Sequence, residues 1–385
     1  MRTMSLDTEV SDVAFGPVIA EARRGADEGE AGRTLGPGVV AAAKDSGLFC
    51  MALPRALGGL EVAPAGMVDV LERLAHADGA AGWCGFIGNA TSLFGWLEPP
   101  VARELLAGAP RVASASVWAP WGRAVPDGRG GYVVDGRWTT ASGCRHSEWA
   151  QLGVLVMDGD RPRSRPDGSP DWRFAYLPAG DLEVLDNWDT LGLQGTGSHD
   201  VVVRSVAVPA EHLAMPMLDE PTFDDPLFRL GFWGISSVLM SPFPLGVARR
   251  ALDELEAFLP GRFVPPGAVP PAEDPQVHYE LGRARAQLAA ARAYLDDVTG
   301  RAWARATSGS PCDDGHHRDL GLAMQQAMTV GLQVVDTAYR FAGSAAIRRD
   351  NVIQRCFRDL HTGVKHIAYG LDGYRGAGRH ALGLP

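Results

Sequence analysis

Two side chains in this 385-residue sequence have the type for hydrogen bonding or proton transfer at a site: Ser142, in TTASGCRH, and His361, in RCFRDLHTGVKH. A serine hydroxyl both donates and accepts hydrogen bonds. An imidazole titrating near neutrality can take a proton from a phenol or an amine, or hold a substrate hydroxyl. Read in isolation, Ser142 also fits a turn serine bonded to its own backbone, and His361 a satisfied helix histidine. No glutamate occurs after Glu280, so the final 105 residues lack that base entirely. The nearby carboxylates are Asp372 and Asp359, and Asp359 sits in an Arg358–Asp359 pair suited to anchoring a helix. His361 lies four residues after Phe357 and beside Leu360, at the edge of an apolar stripe, and is expected to face a buried pocket. His366, five residues on, falls on a different face, and the i, i+4 spacing for a shared metal is absent. PCDDGHHRD gathers Cys312, His316 and His317, but without a second ligand pair it reads as a solvated loop, and no metal site is expected.

These residues need elements to position them. Residues 1–112 follow a helical period: Met67, Val70, Leu71, Leu74 and Ala75 form the stripe of an amphipathic helix. Residues 113–222 switch to strand signals, in GYVVDGRWTTASG, AQLGVLVM and DVVVRSVAVP. From 223 to 385 the helical period returns. Leu281, Leu288, Leu295 and Ala302 recur every seven residues, as a bundle seam or a subunit interface. Ile353, Phe357, Leu360, Val364, Ile367 and Leu371 form a further stripe, and the proline-rich stretch 260–275 reads as a loop. The expectation is a mainly α chain with a central β domain, divided at 112 and 222.

Composition bounds the function. Hydrophobic residues at 46% and charged residues at 21% describe a globular protein, and a net charge of −10 argues against nucleic acid as a partner. Residues 79–97 and 230–248 are uncharged but broken by glycines, prolines and serines, so no membrane span is expected. Five dispersed cysteines and a polar N-terminus predict a cytoplasmic location. RGAGRHA at 375–381 imitates a dinucleotide loop, but it opens no βαβ unit.

Several stretches together carry a resemblance. SGLFCMALPRALGGLEV, DGRGGYVVDGRWTTASGCRHSEW, DNWDTLGLQGTGSHDVVVRSVAVPAEHL and FAGSAAIRRDNVIQRCFRDLHTGVKH resemble, in order, the signature segments of the acyl-CoA dehydrogenase-like superfamily. That implies an N-terminal helical domain, a small β-barrel or sandwich domain and a C-terminal four-helix bundle. WxxxSGCxH and RDLHT are similar to the two-component flavin-dependent monooxygenases within it. The dehydrogenases place a glutamate in an IYEG stretch, where this chain reads IAYG at 367–370.

The resemblance implies an oxygenase component that takes reduced FMN or FAD from a separate NAD(P)H-dependent flavin reductase. It would form a C4a-hydroperoxide with O2 and hydroxylate a small, aromatic substrate. An N-oxygenase acting on an amino group is the alternative, and a dehydrogenase with a displaced base is a further one. The same resemblance makes Ser142 and His361 catalytic, Ser142 at the flavin N5 and His361 at the substrate. It assigns Trp118, Ser142, Gly143, Gly195, Thr196, Gly343 and Ser344 to the cofactor. Trp83, Phe86, Asn89, Trp96 and His361 fall to the substrate, and a homotetramer is implied.

Overall fold

The computed structural model describes residues 6–107, 111–262, 269–370 and 372–384. Helices come first: α1 (Leu6–Gly32), α2 (Pro37–Ser46), α3 (Pro64–Ala77), α4 (Gly79–Gly88) and α5 (Pro99–Leu105). Prolines occupy the first turns of α2, α3 and α5, where a missing N–H costs nothing. In α3 the stripe Met67, Val70, Leu71, Leu74 and Ala75 is fully buried. Asp78 caps α4 by accepting the Ala81 N–H at 2.8 Å.

Eight strands follow: β1 (Ser114–Pro126), β2 (Gly131–Trp138), β3 (Trp149–Asp158), β4 (Arg161–Pro162), β5 (Trp172–Pro178), β6 (Glu183–Val184), β7 (Val201–Pro209) and β8 (Leu213–Ala214). They form one sheet in the order β6-β7-β2-β1-β3-β5-β8, with β4 on β3, and β1 and β3 run parallel. Alternation separates the two faces. Ala115, Val117, Ala150, Leu152, Ala175 and Leu177 fill a core belonging to the strands, whereas Trp149, Phe174 and Tyr176 join the helical core. Register between β1 and β3 breaks between Val117 and Gly122, so residues 118–121 loop out of the ladder. Gly153 makes room for that bulge, because a Cβ there would stand 2.4 Å from the Trp118 carbonyl oxygen. The bulge tips Trp118 toward the helices and leaves Trp121 about half exposed.

The remaining helices are α6 (Gly231–Met240), α7 (Pro242–Phe258), α8 (Pro275–Thr307), α9 (Asp314–Ala342), α10 (Val352–Gly363) and α11 (Asp372–Ala381). The apolar stretch Phe228–Gly261, across α6 and α7, is long enough to cross a membrane, but 83% of its most apolar window is buried inside the fold. In α8 the heptad seam is intramolecular. Leu288, Leu295 and Ala302 are buried, Leu281 packs against the same core, and α9 is the facing helix. The reading of that seam as a subunit interface is therefore corrected.

The stripe expected through 353–371 ends early, because α10 stops at Gly363 and the chain turns. Ile367 consequently stands 82% exposed, and Leu371 lies outside the described residues. Leu295, with no exposed surface, tests the seam. Leu295→Ala should lower unfolding free energy by about 2–5 kcal/mol in a denaturant titration. A loss below about 1 kcal/mol would place it outside the packed core.

Candidate active site

Ser142 stands in the turn after β2. Gly143 takes φ +73° there, and its N–H donates to the Thr196 carbonyl at 3.0 Å. This stitches the turn to segment 190–199. Ser142 is 5% exposed, and its Oγ accepts the Trp83 Nε1–H at 3.0 Å. Ser142 Oγ lies 2.6 Å from Ser198 Oγ, and Ser198 Oγ lies 2.6 Å from Thr196 Oγ1. Thr196 Oγ1 donates to the Leu193 carbonyl at 2.7 Å.

The direction of this chain is forced. A carbonyl only accepts, so the single Thr196 proton is spent on Leu193. Ser198 must then donate to Thr196, and Ser142 must donate to Ser198. Ser142 Oγ is left with one unused lone pair and no free proton.

The far end of the chain is held just as firmly. Leu193 adopts φ +55°, a conformation uncommon for a side-chain-bearing residue. Its N–H donates to the Asp359 carboxylate at 2.6 Å. Its carbonyl also accepts the Trp188 Nε1–H at 3.0 Å and the Thr196 N–H at 3.1 Å. Gly192 permits the contact with α10, since a Cβ there would stand 2.2 Å from the Arg358 carbonyl oxygen. Burial pushes the Asp359 carboxyl up to about 7, the nearby Asp78 charge adding to it, and burial raises Asp78 to about 6. Arg355 and Arg358 fasten α10 to α1 through Glu30, at 2.8 Å and 2.5 Å.

Beyond Trp83 lies a cavity of ≈ 500 Å³, counting its open mouth, between α4, the turns of residues 89–96, β1 and α6. Phe86, Trp96, Trp118 and Phe232 form aromatic walls. Asn89 borders the cavity but spends its amide elsewhere: Oδ1 accepts the Ala52 N–H, and Nδ2 donates to the Leu48 and Gly85 carbonyls. Trp96 Nε1 donates to the Asp219 carbonyl, so the ring alone is offered.

The histidine at this cavity is His366. His361 does not line it. His361 tilts over Phe357 at 4.2 Å and meets the Asp336 carboxylate at 2.8 Å, on the outer side of α10. The physical reason is the helix stop. Gly363 brings the end of α10 against Phe243 and Trp83, where a Cβ would stand 2.8 Å and 3.0 Å away. The turn beyond it carries His366 over to Trp83 and Trp118, with ring centroids at 5.8 Å and 5.6 Å. Burial pushes the His366 imidazole down to about 4. Its Nδ1 accepts the Ala368 N–H at 3.3 Å, which leaves the ring proton on Nε2.

The other residues expected at the cofactor do not line this cavity. Gly195 packs against Ala80 and the Gly29 backbone of α1, and the Thr196 hydroxyl spends its one proton on the Leu193 carbonyl inside the chain of hydroxyls. Gly343 closes α9 at φ +60° beneath the Arg262 guanidinium, and neither it nor Ser344 lines the cavity. At the position of the dehydrogenase glutamate stands Tyr369, whose hydroxyl donates to the Met240 carbonyl at 2.8 Å. Burial raises that phenol well above its ordinary value.

Sequence reasoning missed His366, Ser198, Ser92 and Phe232. The signals present were the helix-stopping Gly363 and the alternate hydroxyls of TGS.

Known proteins resemble this chain along its length. Residues 238–370 match the family described as acyl-CoA dehydrogenase, C-terminal domain. An indole-3-acetate monooxygenase of Pseudomonas putida is 30% identical over 352 residues, covering 91% of this chain and 88% of the relative. The flavin-dependent monooxygenase oxygenase subunit HsaA of Mycobacterium tuberculosis is 26% identical, covering 97% and 95%. The structure of XiaF from a Streptomyces species, in complex with FADH2 and glycerol, superposes with a TM-score of 0.89 at 26% identity, covering 98% and 97%.

The raised carboxyls give stability a pH dependence. Asp359 and Asp78 bind protons more tightly when folded than at the unfolded value near 3.9. Stability should therefore fall as pH rises, from about 4 to 7 for Asp359 and from about 4 to 6 for Asp78, by on the order of 1 kcal/mol per unit. Asp359→Asn keeps an acceptor for the Leu193 N–H and should flatten that slope in denaturant titrations run across the range. An unchanged slope would mean that Asp359 does not titrate there.

Proposed function

Because the chain belongs to the flavin-dependent monooxygenases built on the acyl-CoA dehydrogenase fold, we propose that it hydroxylates a small aromatic compound in the cavity between Phe86 and Phe232. It is an oxygenase component, which uses reduced flavin and O2 and depends on a separate flavin reductase. In this reading the reductase is NAD(P)H-dependent and the flavin is FMN or FAD. The homotetramer also belongs to it, with its contacts on surfaces other than the α8 seam.

The residues present fit a reduced flavin. Ser142 Oγ, a buried acceptor with an unused lone pair, suits an N–H such as that at N5 of the reduced ring. Trp118 lines the cavity from β1, and Gly143, with its positive φ, shapes the turn that carries Ser142. When bound, reduced flavin supplies the two electrons that activate O2, one oxygen atom going to substrate and the other to water.

The observation that carries the reading is an apolar cavity with an imidazole on one side and the Trp83–Ser142 pair behind it. Trp83 connects them, donating to Ser142 and meeting His366 edge-on. Aromatic walls exclude water, which limits loss of reducing equivalents to peroxide. His366, neutral with its proton on Nε2, donates to a substrate or oxygen-derived atom instead of accepting a proton. Ser142 orients the ring-nitrogen side.

The alternatives find less support. Among the described residues lining the cavity there is no carboxylate to remove an α-proton from an acyl thioester or to hold an ammonium group. Tyr369 cannot replace one, because its proton is committed to Met240.

The roles separate by mutation. With reductase-fed flavin, His366→Ala should lower product by about 100-fold or more while O2 is still consumed and appears as H2O2. His361→Ala should hold product within a few-fold of wild type. Activity should be flat from about pH 6 to 8 as far as His366 is concerned, since it titrates near 4. Loss of product in His361→Ala with retention in His366→Ala would reverse the assignment.

A further inference from the structure

Among the described residues, no Arg, Lys, Asp or Glu lines the cavity. Its hydrogen-bonding groups are few and neutral. Ser92 and Ser236 border it, and neither hydroxyl bonds another described residue. Ser116 Oγ donates to the Gln151 carbonyl at 3.3 Å and keeps lone pairs to accept with. His366 Nε2–H completes the set. The other polar side chains at the wall, Asn89 and Trp96, have turned their groups to backbone partners.

We propose that the substrate is a neutral aromatic compound carrying a hydroxyl or ring N–H, and that carboxylate, phosphate and ammonium compounds are rejected by this cavity. The proposal rests on the oxygenase reading above and deepens it by naming the charge state of what is oxidised.

The reasoning is electrostatic. A charge moved from water into an apolar site needs a counter-charge or several donors, and without them the penalty outweighs the packing gained. His366 is the titratable group available, and it is neutral. Charging it at pH 7 from a value near 4 costs a factor of about 1,000, which an anionic ligand would have to overcome. A hydroxyl or N–H, by contrast, finds both donors and acceptors in the three serines and His366.

The walls select the remainder of the molecule. Phe86, Trp96, Trp118 and Phe232 offer ring faces and edges to a planar aromatic skeleton. The rim is apolar too: Trp118 meets Trp233 edge-on at 6.1 Å, and Trp233 is 47% exposed. The Pseudomonas putida relative is named for an anionic substrate, so this chain is expected to differ from it in ligand charge.

Three probes of one skeleton isolate charge from size: indole, indole-3-acetamide and indole-3-acetate. Equilibrium dialysis at pH 7, run anaerobically with reduced FMN present, would measure each dissociation constant. Indole and the amide should bind, and the carboxylate should bind roughly 100-fold more weakly than the amide, a discount on the protonation factor above. Binding of indole-3-acetate within about tenfold of the amide would overturn the proposal, and so would failure of both neutral probes to bind. The oxygenase reading fails by a separate signal: neither product nor H2O2 from reductase-fed flavin and O2, whatever the ranking of the probes.

Discussion

The Asp359 carboxylate accepting the Leu193 N–H is the contact on which the rest of this site depends. It joins a helix of the C-terminal bundle to a loop of the strand domain. It also holds the backbone N–H of a residue at positive φ, a conformation uncommon for leucine. From Leu193 the order passes through Thr196 and Ser198 to Ser142, and each hydroxyl has one proton to give. A buried chain of this kind has a polarity set at its carbonyl end. The consequence at Ser142 is an acceptor, fixed before any ligand arrives. The cost is a carboxyl kept at an elevated pKa beside Asp78, which burial makes unavoidable.

The cavity depends on the same joint. Gly363 ends α10 four residues after Asp359, so the helix that holds the loop also decides where His366 goes. Trp83 lies between the two, bonded to Ser142 and packed edge-on to His366. In the proposed function, one helix end and one indole thus serve both oxygen activation and substrate binding. The apolar walls make both effective, since a hydrogen bond counts for more where water is excluded.

Much of this was legible in the sequence. The α–β–α order followed from periodicity, as the buried α3 stripe illustrates, and Ser142 was marked by the turn after a strand. The choice between His361 and His366 was not legible from helical spacing. Spacing assumes that the helix continues, and α10 stops at Gly363; a glycine was the available signal. The α8 heptads were ambiguous for a related reason, because a seven-residue repeat specifies a partner helix without saying from which chain. Asn89 and Trp96 were legible as cavity neighbours, but the direction of their polar groups depends on backbone carbonyls distant in sequence. The polarity of the hydroxyl chain needs three-dimensional contacts from Leu193 to Ser142, beyond any motif.

The central claim is that Ser142 is held as an acceptor, and Ser198→Ala tests it most directly. The exchange removes the group that receives the Ser142 proton and leaves Ser142 free to donate. Anaerobic titration of wild type and variant with oxidised and reduced FMN would read the consequence as a ratio of dissociation constants. Wild type should favour reduced flavin, whose N5 carries a proton. In the variant that preference should shrink by roughly tenfold, chiefly because oxidised flavin binds more tightly. An unchanged ratio in Ser198→Ala, or a wild-type preference for oxidised flavin, would contradict the account.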